Sequence, residues 1–353
     1  MPTPQELLES LRQVKYPGFN RDIVSFGMVR DIQIGSRGVT IELATSSDNA
    51  EAMDAIRREV AAIVGAATGL PIEIVVETTR PAAPAAVPRP KPPIPGVGAI
   101  VAVASGKGGV GKSTVAANLA CALAAKGLQT GLLDADVYGP SVSLMLGIEG
   151  TPEVRADRRI VPAERYGVRA ISMGMFLGER TPVIWRGPMV TKLITEFFRN
   201  VVWGDLDYLI LDLPPGTGDA QLTVAQQVPL AGGVIVTTPQ DVALLDVRRG
   251  ITMFEQVHAP VLGVIENMSF HVCRECGERT EVFGHGGGSR MARQFGVPFL
   301  GEIPLVRAIR AAGDAGTPIV VADPAHPQST AFFELAGAVD AQVRERAAGI
   351  VSH

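Results

Sequence analysis

The feature that most constrains this chain is a glycine-rich segment at residues 106–113, Gly-Lys-Gly-Gly-Val-Gly-Lys-Ser. It fits the pattern G-x-x-x-x-G-K-[ST], in which glycines let backbone amides converge on phosphate groups. The apolar run Ala99–Ala104 before it predicts a buried strand, and the alanine-rich stretch after Ser113 predicts a helix that ends near Gly127. A strand, a glycine loop and a helix N-terminus in this order predict a site for a nucleotide.

The residues expected to touch the nucleotide follow from this pattern. Lys112 would reach the β- and γ-phosphates, and the Ser113 hydroxyl would hold Mg²⁺. A second lysine, Lys107, would change the field around a triphosphate by a full charge. The predicted nucleotide-binding set in the loop is Gly106, Lys107, Gly108, Gly109, Val110, Gly111, Lys112, Ser113 and Thr114.

Two acidic segments follow predicted strands farther along the chain. Asp134 and Asp136 alternate, so both would face one side if the strand continued; a pair of turn-forming aspartates is the alternative. Asp212 ends an apolar run and is interpreted as an acid that contacts Mg²⁺ through water. Because ligands collect at the carboxyl ends of parallel strands, these acids are expected beside the glycine loop.

Alternating strands and helices after the glycine loop predict an α/β fold, with a mostly parallel sheet covered by helices on both faces. A small α+β domain precedes it. The predicted domains are residues 1–79, a proline-rich linker at 80–97, and the nucleotide-binding domain at 98–353. The linker composition favours an extended spacer, and a proline-rich ligand for a partner domain is the alternative.

Periodicity predicts the elements of both domains. In the small domain, helices are expected at Pro4–Val14 and Glu51–Val64, and strands at Ile23–Ile34, Val39–Ala44 and Ile72–Val76. Further strands of the large domain are expected at Thr130–Asp134, Tyr208–Leu213, Gly233–Thr237, Val261–Glu266 and Phe299–Ile303.

Composition excludes several classes of protein. The 353 residues are 46% hydrophobic and 19% charged, as in an ordinary globular chain, and the net charge of −4 argues against a nucleic-acid surface. The sequence contains no apolar run near the roughly 20 residues that cross a bilayer, and its first residues lack the regions of a signal peptide. A cytoplasmic protein with no membrane or nucleic-acid partner is expected.

Cys273 and Cys276 form a single C-x-x-C pair. Such a pair is an incomplete site, because tetrahedral metal sites and Fe–S clusters generally need four protein ligands. Three completions are open: the two cysteines of a dimer partner, His271 and His285 in a Cys₂His₂ zinc site, or a redox dithiol. The redox dithiol ranks third because such a pair usually opens a helix. Cys121, in a predicted helix, is expected to be a small buried residue.

The two loop lysines resemble the deviant P-loop (Walker A) family, which includes nitrogenase iron protein, the partitioning and septum-placing ATPases, and the Mrp/ApbC iron–sulfur carriers. This resemblance implies an ATP-dependent homodimer in which Lys107 reaches the partner's nucleotide and acts in catalysis with Lys112. It also implies that Asp136 orients the attacking water and that Asp134 supports the magnesium shell. Asn267 corresponds to the family's adenine-contacting asparagine, and a plain turn asparagine is the alternative.

The segments 212–219 and 267–277 match the Mrp/ApbC branch, the second as Asn-Met-Ser, an aromatic residue and then C-x-x-C-Gly. The resemblance implies an ATPase that uses Mg²⁺, carries a labile [4Fe–4S] cluster on Cys273 and Cys276 at a homodimer interface, and transfers it to apo-proteins. Fe–S assembly scaffolds are further implied partners. The implied dimer favours the bridging cluster over zinc.

Two other functions are considered. One is a spatial switch of the ParA/MinD type, but the tail Phe332–Ile350 lacks the basic amphipathic face of membrane-cycling proteins. The other is a zinc-stabilised, nucleotide-dependent scaffold built on the same two cysteines.

The small domain resembles Fe–S assembly domains of the SufT/PaaD type through the segment Arg21–Arg30. Tyr16–Gly18 stands where that family usually has Asp-Pro-Glu, and the family's cysteine is missing from Thr45–Asp48. Docking of partners is therefore expected of this domain, rather than direct ligation of a metal.

Overall fold

The computed structural model describes residues 2–15, 22–25, 28–35, 38–45, 50–78, 92–137, 139–176, 187–216, 219–273 and 275–351. The chain divides into two compact units, Met1–Arg89 and Pro90–His353. The boundaries at 79/80 and 97/98 stay a prediction, since residues 79–91 lie outside the described ranges. Tyr16–Gly18, most of 45–48 and part of Arg21–Arg30 also lie outside them.

The first unit is a three-stranded sheet covered by helices. Its elements are α1 (Pro4–Ser10), β1 (Val29–Ile34), β2 (Val39–Thr45), α2 (Ala50–Thr68) and β3 (Ile72–Thr78). The strand order is β1-β2-β3, with β1 antiparallel and β3 parallel to β2. Buried apolar side chains recur every three or four residues along α2 and meet the sheet, as expected for an amphipathic helix. They are Met53, Ile56, Val60 and Val64.

The strand predicted at Ile23–Ile34 is wrong in its first half. The strand begins at Val29, because the Asp22 carboxylate accepts hydrogen bonds from the Ser25 N–H and hydroxyl, both at 2.7 Å, and closes a turn. The helix predicted to reach Val14 ends at Ser10 and continues as a short 3₁₀ turn.

The second unit has ten described strands, eight of which form one large sheet. Its strands are β4 (Val97–Ala104), β5 (Thr130–Asp134), β6 (Ala163–Arg165), β7 (Val168–Ser172), β8 (Leu206–Asp212), β9 (Gly232–Thr237), β10 (Val261–Asn267), β11 (His271–Val272), β12 (Arg279–Thr280) and β13 (Phe299–Ile303). Its helices are α3 (Lys112–Ala125), α4 (Val142–Met145), α5 (Gly187–Asn200), α6 (Asp219–Gln227), α7 (Asp241–Gln256), α8 (Gly287–Gln294), α9 (Arg307–Asp314), α10 (Ile319–Ala322) and α11 (Pro327–Val351).

In the described part of this unit, eight strands are ordered β13-β10-β9-β4-β8-β5-β7-β6. Neighbouring strands are parallel except for β6 and β7. Ile100 and Ala102 of β4 pack into one hydrophobic core, whereas the alternate residues Val101 and Val103 pack into another. A strand that buries both faces must lie in a sheet covered on both sides, which confirms the predicted α/β fold.

The antiparallel edge hairpin β6–β7 was not predicted. Its strand β6 has three residues, too few for an alternating pattern, and its turn uses positive φ at Tyr166 and Gly167, 54° and 74°. The predicted tail Phe332–Ile350 lies within the helix α11. Among the described helices, none combines the length and the apolar character needed to cross a bilayer.

Gly233→Ala should destabilise the second unit by about 1–3 kcal/mol, because the added methyl group would overlap the buried ring of Phe254. Gly313→Ala is the matched control, since its Cβ position in α9 faces open space, and its effect should stay within about 1 kcal/mol. Urea unfolding of both variants measures the difference, and equal midpoints would contradict this account of the core.

Candidate nucleotide site and thiol pair

The glycine loop connects β4 to α3 in a conformation that depends on its glycines. Gly109 and Gly111 have φ angles of 80° and 82°, and Gly111 is the N-cap of α3. These left-handed angles suit glycine and turn successive backbone N–H groups toward one side. Because the first N–H groups of a helix have no partner within the helix, the loop and the start of α3 form an anion-binding concavity.

Two neighbours fix the position of this loop. A Cβ at Gly106 would overlap Asp246 of α7, and a Cβ at Gly111 would overlap the side-chain amide of Asn267 at the end of β10. The Asn267 amide donates a hydrogen bond of 2.8 Å to the Val110 carbonyl. Asn267 therefore holds the loop directly, and its contact with an adenine base stays a prediction.

Lys112 forms a buried ion pair with Asp212. Its Nζ lies 2.6 Å from Asp212 Oδ1 and 3.2 Å from the Ser113 hydroxyl oxygen, and the two charged side chains are 6% and 0% exposed. Burial raises the pKa of Asp212, and the charge and hydrogen bond of Lys112 oppose that rise. Among the described residues, Asp212 Oδ2 is buried with no hydrogen-bond partner. This oxygen is available to a cation or to a water molecule that a cation holds.

Asp134 lies directly beside Asp212, because the two are partners in the register of β5 and β8. Its Oδ1 accepts a hydrogen bond from the Asp136 N–H, and its Oδ2 accepts from the N–H groups of Ser141 and Val142 and from the Ser172 hydroxyl, at 2.8–3.1 Å. Burial and the neighbouring Asp212 charge raise the pKa of Asp134 to about 7. These bonds anchor the loop between β5 and α4, and a role in the magnesium shell stays a prediction.

Asp136 sits in that loop and is 7% exposed. Its Oδ1 accepts a hydrogen bond of 3.2 Å from the Gly139 N–H, and its charge raises the pKa of Asp212 beyond the effect of burial. The structure thus brings Asp134, Asp136 and Asp212 together at the carboxyl ends of β5 and β8, beside Lys112. The role of Asp136 in orienting water stays a prediction.

The segment after β8 returns to the glycine loop. The Gly216 N–H donates a hydrogen bond of 3.0 Å to the Ser105 carbonyl, and the Ser105 hydroxyl donates to the Lys107 carbonyl at 2.9 Å. Thr217 and Gly218, which follow in the segment 212–219 that resembles the Mrp/ApbC branch, lie outside the described residues. Ser105 was not singled out from the sequence, although it directly precedes the motif.

The second loop lysine is held by a residue that sequence reasoning missed. Lys107 Nζ lies 3.2 Å from the side-chain oxygen of Gln240, which is the N-cap residue of α7. Gln240 follows the end of β9, so its position after a strand of the sheet was the available signal. The predicted reach of Lys107 to a partner's nucleotide stays a prediction.

The C-x-x-C pair lies in a small hairpin formed by β11 and β12. The Cys273 N–H donates to the Glu278 carbonyl, and the Gly277 N–H donates to the Cys273 carbonyl, both at 2.9 Å. Gly277 has a φ of 74°, which allows the tight return of the chain. This thiol knuckle, from Cys273 to Gly277, places Cys276 close enough to the Cys273 thiol to contribute to the lowering of its pKa.

The knuckle also prepares one thiol for ligation. The sulfur of Cys273 accepts hydrogen bonds from the backbone N–H groups of Cys276 and Glu275, and these bonds lower the pKa of Cys273. A thiolate is the form that binds metals. Cys121 differs, because its burial in α3 raises the pKa of that thiol to about 12, as expected of a packing residue.

The two histidines considered for zinc are engaged elsewhere. His271 Nδ1 lies 3.0 Å from the Leu305 carbonyl oxygen, and His285 Nε2 lies 2.7 Å from Glu302 Oε2. Within the described ranges, the thiols belong to no group of three or more His, Cys, Asp or Glu residues whose ligand atoms lie within 4.8 Å of one another. One chain therefore does not assemble the Cys₂His₂ site from these residues.

A parallel sheet, a glycine loop that caps a helix, and an acid at the end of the adjacent strand define a P-loop NTPase. Residues 96–340 match the family described as NUBPL iron-transfer P-loop NTPase, and the chain belongs to this family. Residues 4–73 match the family described as iron-sulfur cluster assembly protein. Both matches confirm the resemblances found in the sequence.

Similar proteins include an iron-sulfur cluster carrier protein from Pseudomonas fragi, 55% identical over 67% of this chain and 83% of that protein. An iron-sulfur cluster carrier protein from Haemophilus influenzae is 40% identical over 96% of this chain and 91% of that protein, so the likeness includes the first unit. Among solved structures, the nucleotide-binding protein from Archaeoglobus fulgidus in complex with ADP is 42% identical. It covers 67% of this chain and 92% of its own, with a TM-score of 0.59.

Alkylation should distinguish the three thiols. We expect iodoacetamide to modify Cys273 in the native protein at pH values below the ordinary thiol pKa of ~8.5, because N–H donors stabilise its thiolate. Cys121 should react only after unfolding, since it is buried. Peptide mass spectrometry across a pH series measures both, and a Cys273 rate that rises only above the ordinary thiol pKa would contradict the proposed hydrogen bonds.

Proposed function

We propose that this protein is an ATP-hydrolysing iron–sulfur cluster carrier that acts as a homodimer. Two chains hold a labile [4Fe–4S] cluster through Cys273 and Cys276 and transfer it to apo-proteins. The observation that carries the proposal is the thiol knuckle, which presents two ligands with a stabilised thiolate and has no further ligand group around it among the described residues. A four-thiolate site then requires a second copy of the chain.

The nucleotide site supports the hydrolytic part of the proposal. The N–H groups of residues 106–114 would hold the phosphates, and Lys112 would leave Asp212 for the β- and γ-phosphates. The unpartnered Asp212 Oδ2 and the nearby Ser113 hydroxyl fit a magnesium ion, with Asp212 acting through water. Bound Mg²⁺ would neutralise phosphate charge. A cation must replace Lys112 at Asp212 as Lys112 moves to the phosphates, because removing one partner of a buried ion pair costs about 3–5 kcal/mol.

Three further roles complete this proposal. Asp136 would orient the attacking water from the loop that Asp134 anchors, and Asp134 would support the magnesium shell through that loop. Lys107, bound to Gln240 within its own chain, would turn to the partner's nucleotide in the dimer. Asn267 would contact adenine from the edge of the loop.

The cluster is cargo in this proposal. The N–H donors around Cys273 lower the pKa of its thiol and so favour the thiolate, and the exposure of Cys276 leaves the thiols accessible to an acceptor protein. The first unit, whose residues 4–73 match iron–sulfur assembly proteins, would dock apo-proteins or assembly scaffolds.

Lys107→Ala should lower the ATPase kcat by about 10²-fold, as expected when one donor to developing phosphate charge is lost, while ATP affinity changes little. Lys126→Ala is the matched control, since this exposed lysine caps the far end of α3 and should keep the wild-type rate. Steady-state phosphate release measures both. A wild-type rate in Lys107→Ala would refute the role of the second lysine.

Anaerobically reconstituted protein should contain about four iron and four sulfide per dimer. Cys273→Ser and Cys276→Ser should each abolish this content, because each change removes two of the four ligands at once, whereas Cys121→Ala should retain it. Metal and sulfide analysis with gel filtration provides the measurement. About one zinc per monomer, with no iron and with loss in His271→Ala or His285→Ala, would instead establish the zinc scaffold.

A further inference from the structure

We propose that Glu302 is a positioning residue for the thiol pair. As a clamp, it holds the hairpin that carries Cys273 against the end of β10, the strand whose last residue contacts the P-loop, so that nucleotide binding changes the reactivity of the thiol within one chain. Glu302 lies on β13 and takes no part in the sites described above. The inference rests on the proposed function, since it concerns the same thiols.

The clamp begins at a buried serine. Ser269, which is 0% exposed, donates its hydroxyl toward Glu266 Oε1 at 2.6 Å and lies 2.9 Å from Glu302 Oε2. Its backbone N–H also donates to the Ile303 carbonyl. Ser269 thus fastens the chain just beyond β10 to the end of β13.

Glu302 extends this network to the hairpin. Its Oε2 lies 2.7 Å from His285 Nε2, and its Oε1 forms a 3.5 Å ion pair with Arg279 of β12. The Arg279 guanidinium also lies 3.7 Å from the ring centroid of Phe270. Burial alone would raise the pKa of Glu302, but the polar contacts with Ser269 and His285 and the charge of Arg279 hold it below its usual value. Glu302 is therefore an anion with three partners.

Arg279 connects Glu302 to the strand that leads into Cys273. It is the register partner of Val272, the residue before Cys273. A second set of bonds acts on the other strand of the hairpin, where the Leu305 N–H donates to the Phe270 carbonyl and His271 contacts the Leu305 carbonyl. Both strands of the hairpin are thus fastened to the segment 302–305, which begins at Glu302.

The chain that leads into the hairpin starts at the nucleotide site. Asn267 donates to the Val110 carbonyl of the P-loop and is the register partner of Ile303, the neighbour of Glu302. A short stretch of chain, 267–273, therefore runs from the P-loop to the first thiol. If Val110 and Gly111 rearrange around phosphate, this stretch can transmit the movement to Cys273 only when the hairpin at its other end is held in place.

The same acids do not form a convincing cation site. Glu266, His285 and Glu302 lie within ligand distance of one another. Both oxygens of Glu266 already accept hydrogen bonds from the N–H groups at the start of α8, and the guanidinium of Arg279 lies 2.7 Å from His285 Nε2. Arginine already supplies the positive charge there, which favours a clamp over a metal.

The test measures alkylation of Cys273 by iodoacetamide in the full-length protein without iron, at fixed pH, with and without a saturating non-hydrolysable Mg-ATP analogue. In the wild type we expect the nucleotide to change the rate by about fivefold or more, the lower range of measured couplings. Glu302→Gln should reduce this change to less than about twofold while nucleotide affinity stays near that of the wild type. A general loss of structure would alter both rates and the affinity, whereas the ratio reports coupling.

Glu278→Gln is the matched control, because it removes an exposed carboxylate close to Cys273 and should keep the full nucleotide response. Arg279→Gln is a second variant that breaks the clamp from the hairpin side and should behave like Glu302→Gln; it decides the matter if Glu302→Gln fails to bind nucleotide. A wild-type response in the clamp variants, or no response in the wild type, would overturn the inference. Because no iron is used, this outcome is independent of the metal analysis that tests the proposed function.

Discussion

The buried ion pair between Lys112 and Asp212 joins the parts of the nucleotide site. It ties the first turn of α3 to the end of β8, and the register of β5 and β8 places Asp134 against the same acid. Burial raises the pKa of both carboxylates, and the Asp212 charge raises that of Asp134 further, so a nearby cation favours the charged form of Asp212. Lys112 is that cation here. This ion pair lies between the glycine loop, the ends of the two strands and the loop that carries Asp136.

The parts of the site with local causes could be predicted from the sequence. The left-handed angles at Gly109, Gly111 and Gly277 follow from glycine at those places in known motifs, and buried parallel strands follow from continuous apolar runs. Local reasoning also produced errors, among them a strand suggested by the apolar residues after Asp22. The Asp22 carboxylate instead captured the Ser25 N–H, and a side-chain bond of this kind competes with extended structure without changing hydrophobicity.

Contacts between distant residues could not be predicted in this way. Lys107 and Gln240 are 133 positions apart, and Ser269 and Glu302 are 33 apart. Their meeting depends on strand order and on the exact register of β10 against β13, which a single sequence does not specify. The motif therefore indicated which residues would bind nucleotide, whereas the groups that orient those residues emerged only from the packed sheet.

Under the proposed function, two couplings act on the same thiols. Ligands shared between chains make retention of the cluster depend on the dimer, and a lysine that reaches the partner's nucleotide makes the dimer depend on ATP. That route passes between chains. The clamp at Glu302 provides a route within one chain, from Val110 through Asn267 and Ser269 to the hairpin. Because binding of nucleotide and stabilisation of the thiol geometry are linked equilibria, each must influence the other to the same extent. A carrier with both routes would couple its hold on the cluster to the nucleotide in two ways, through the dimer and within each chain.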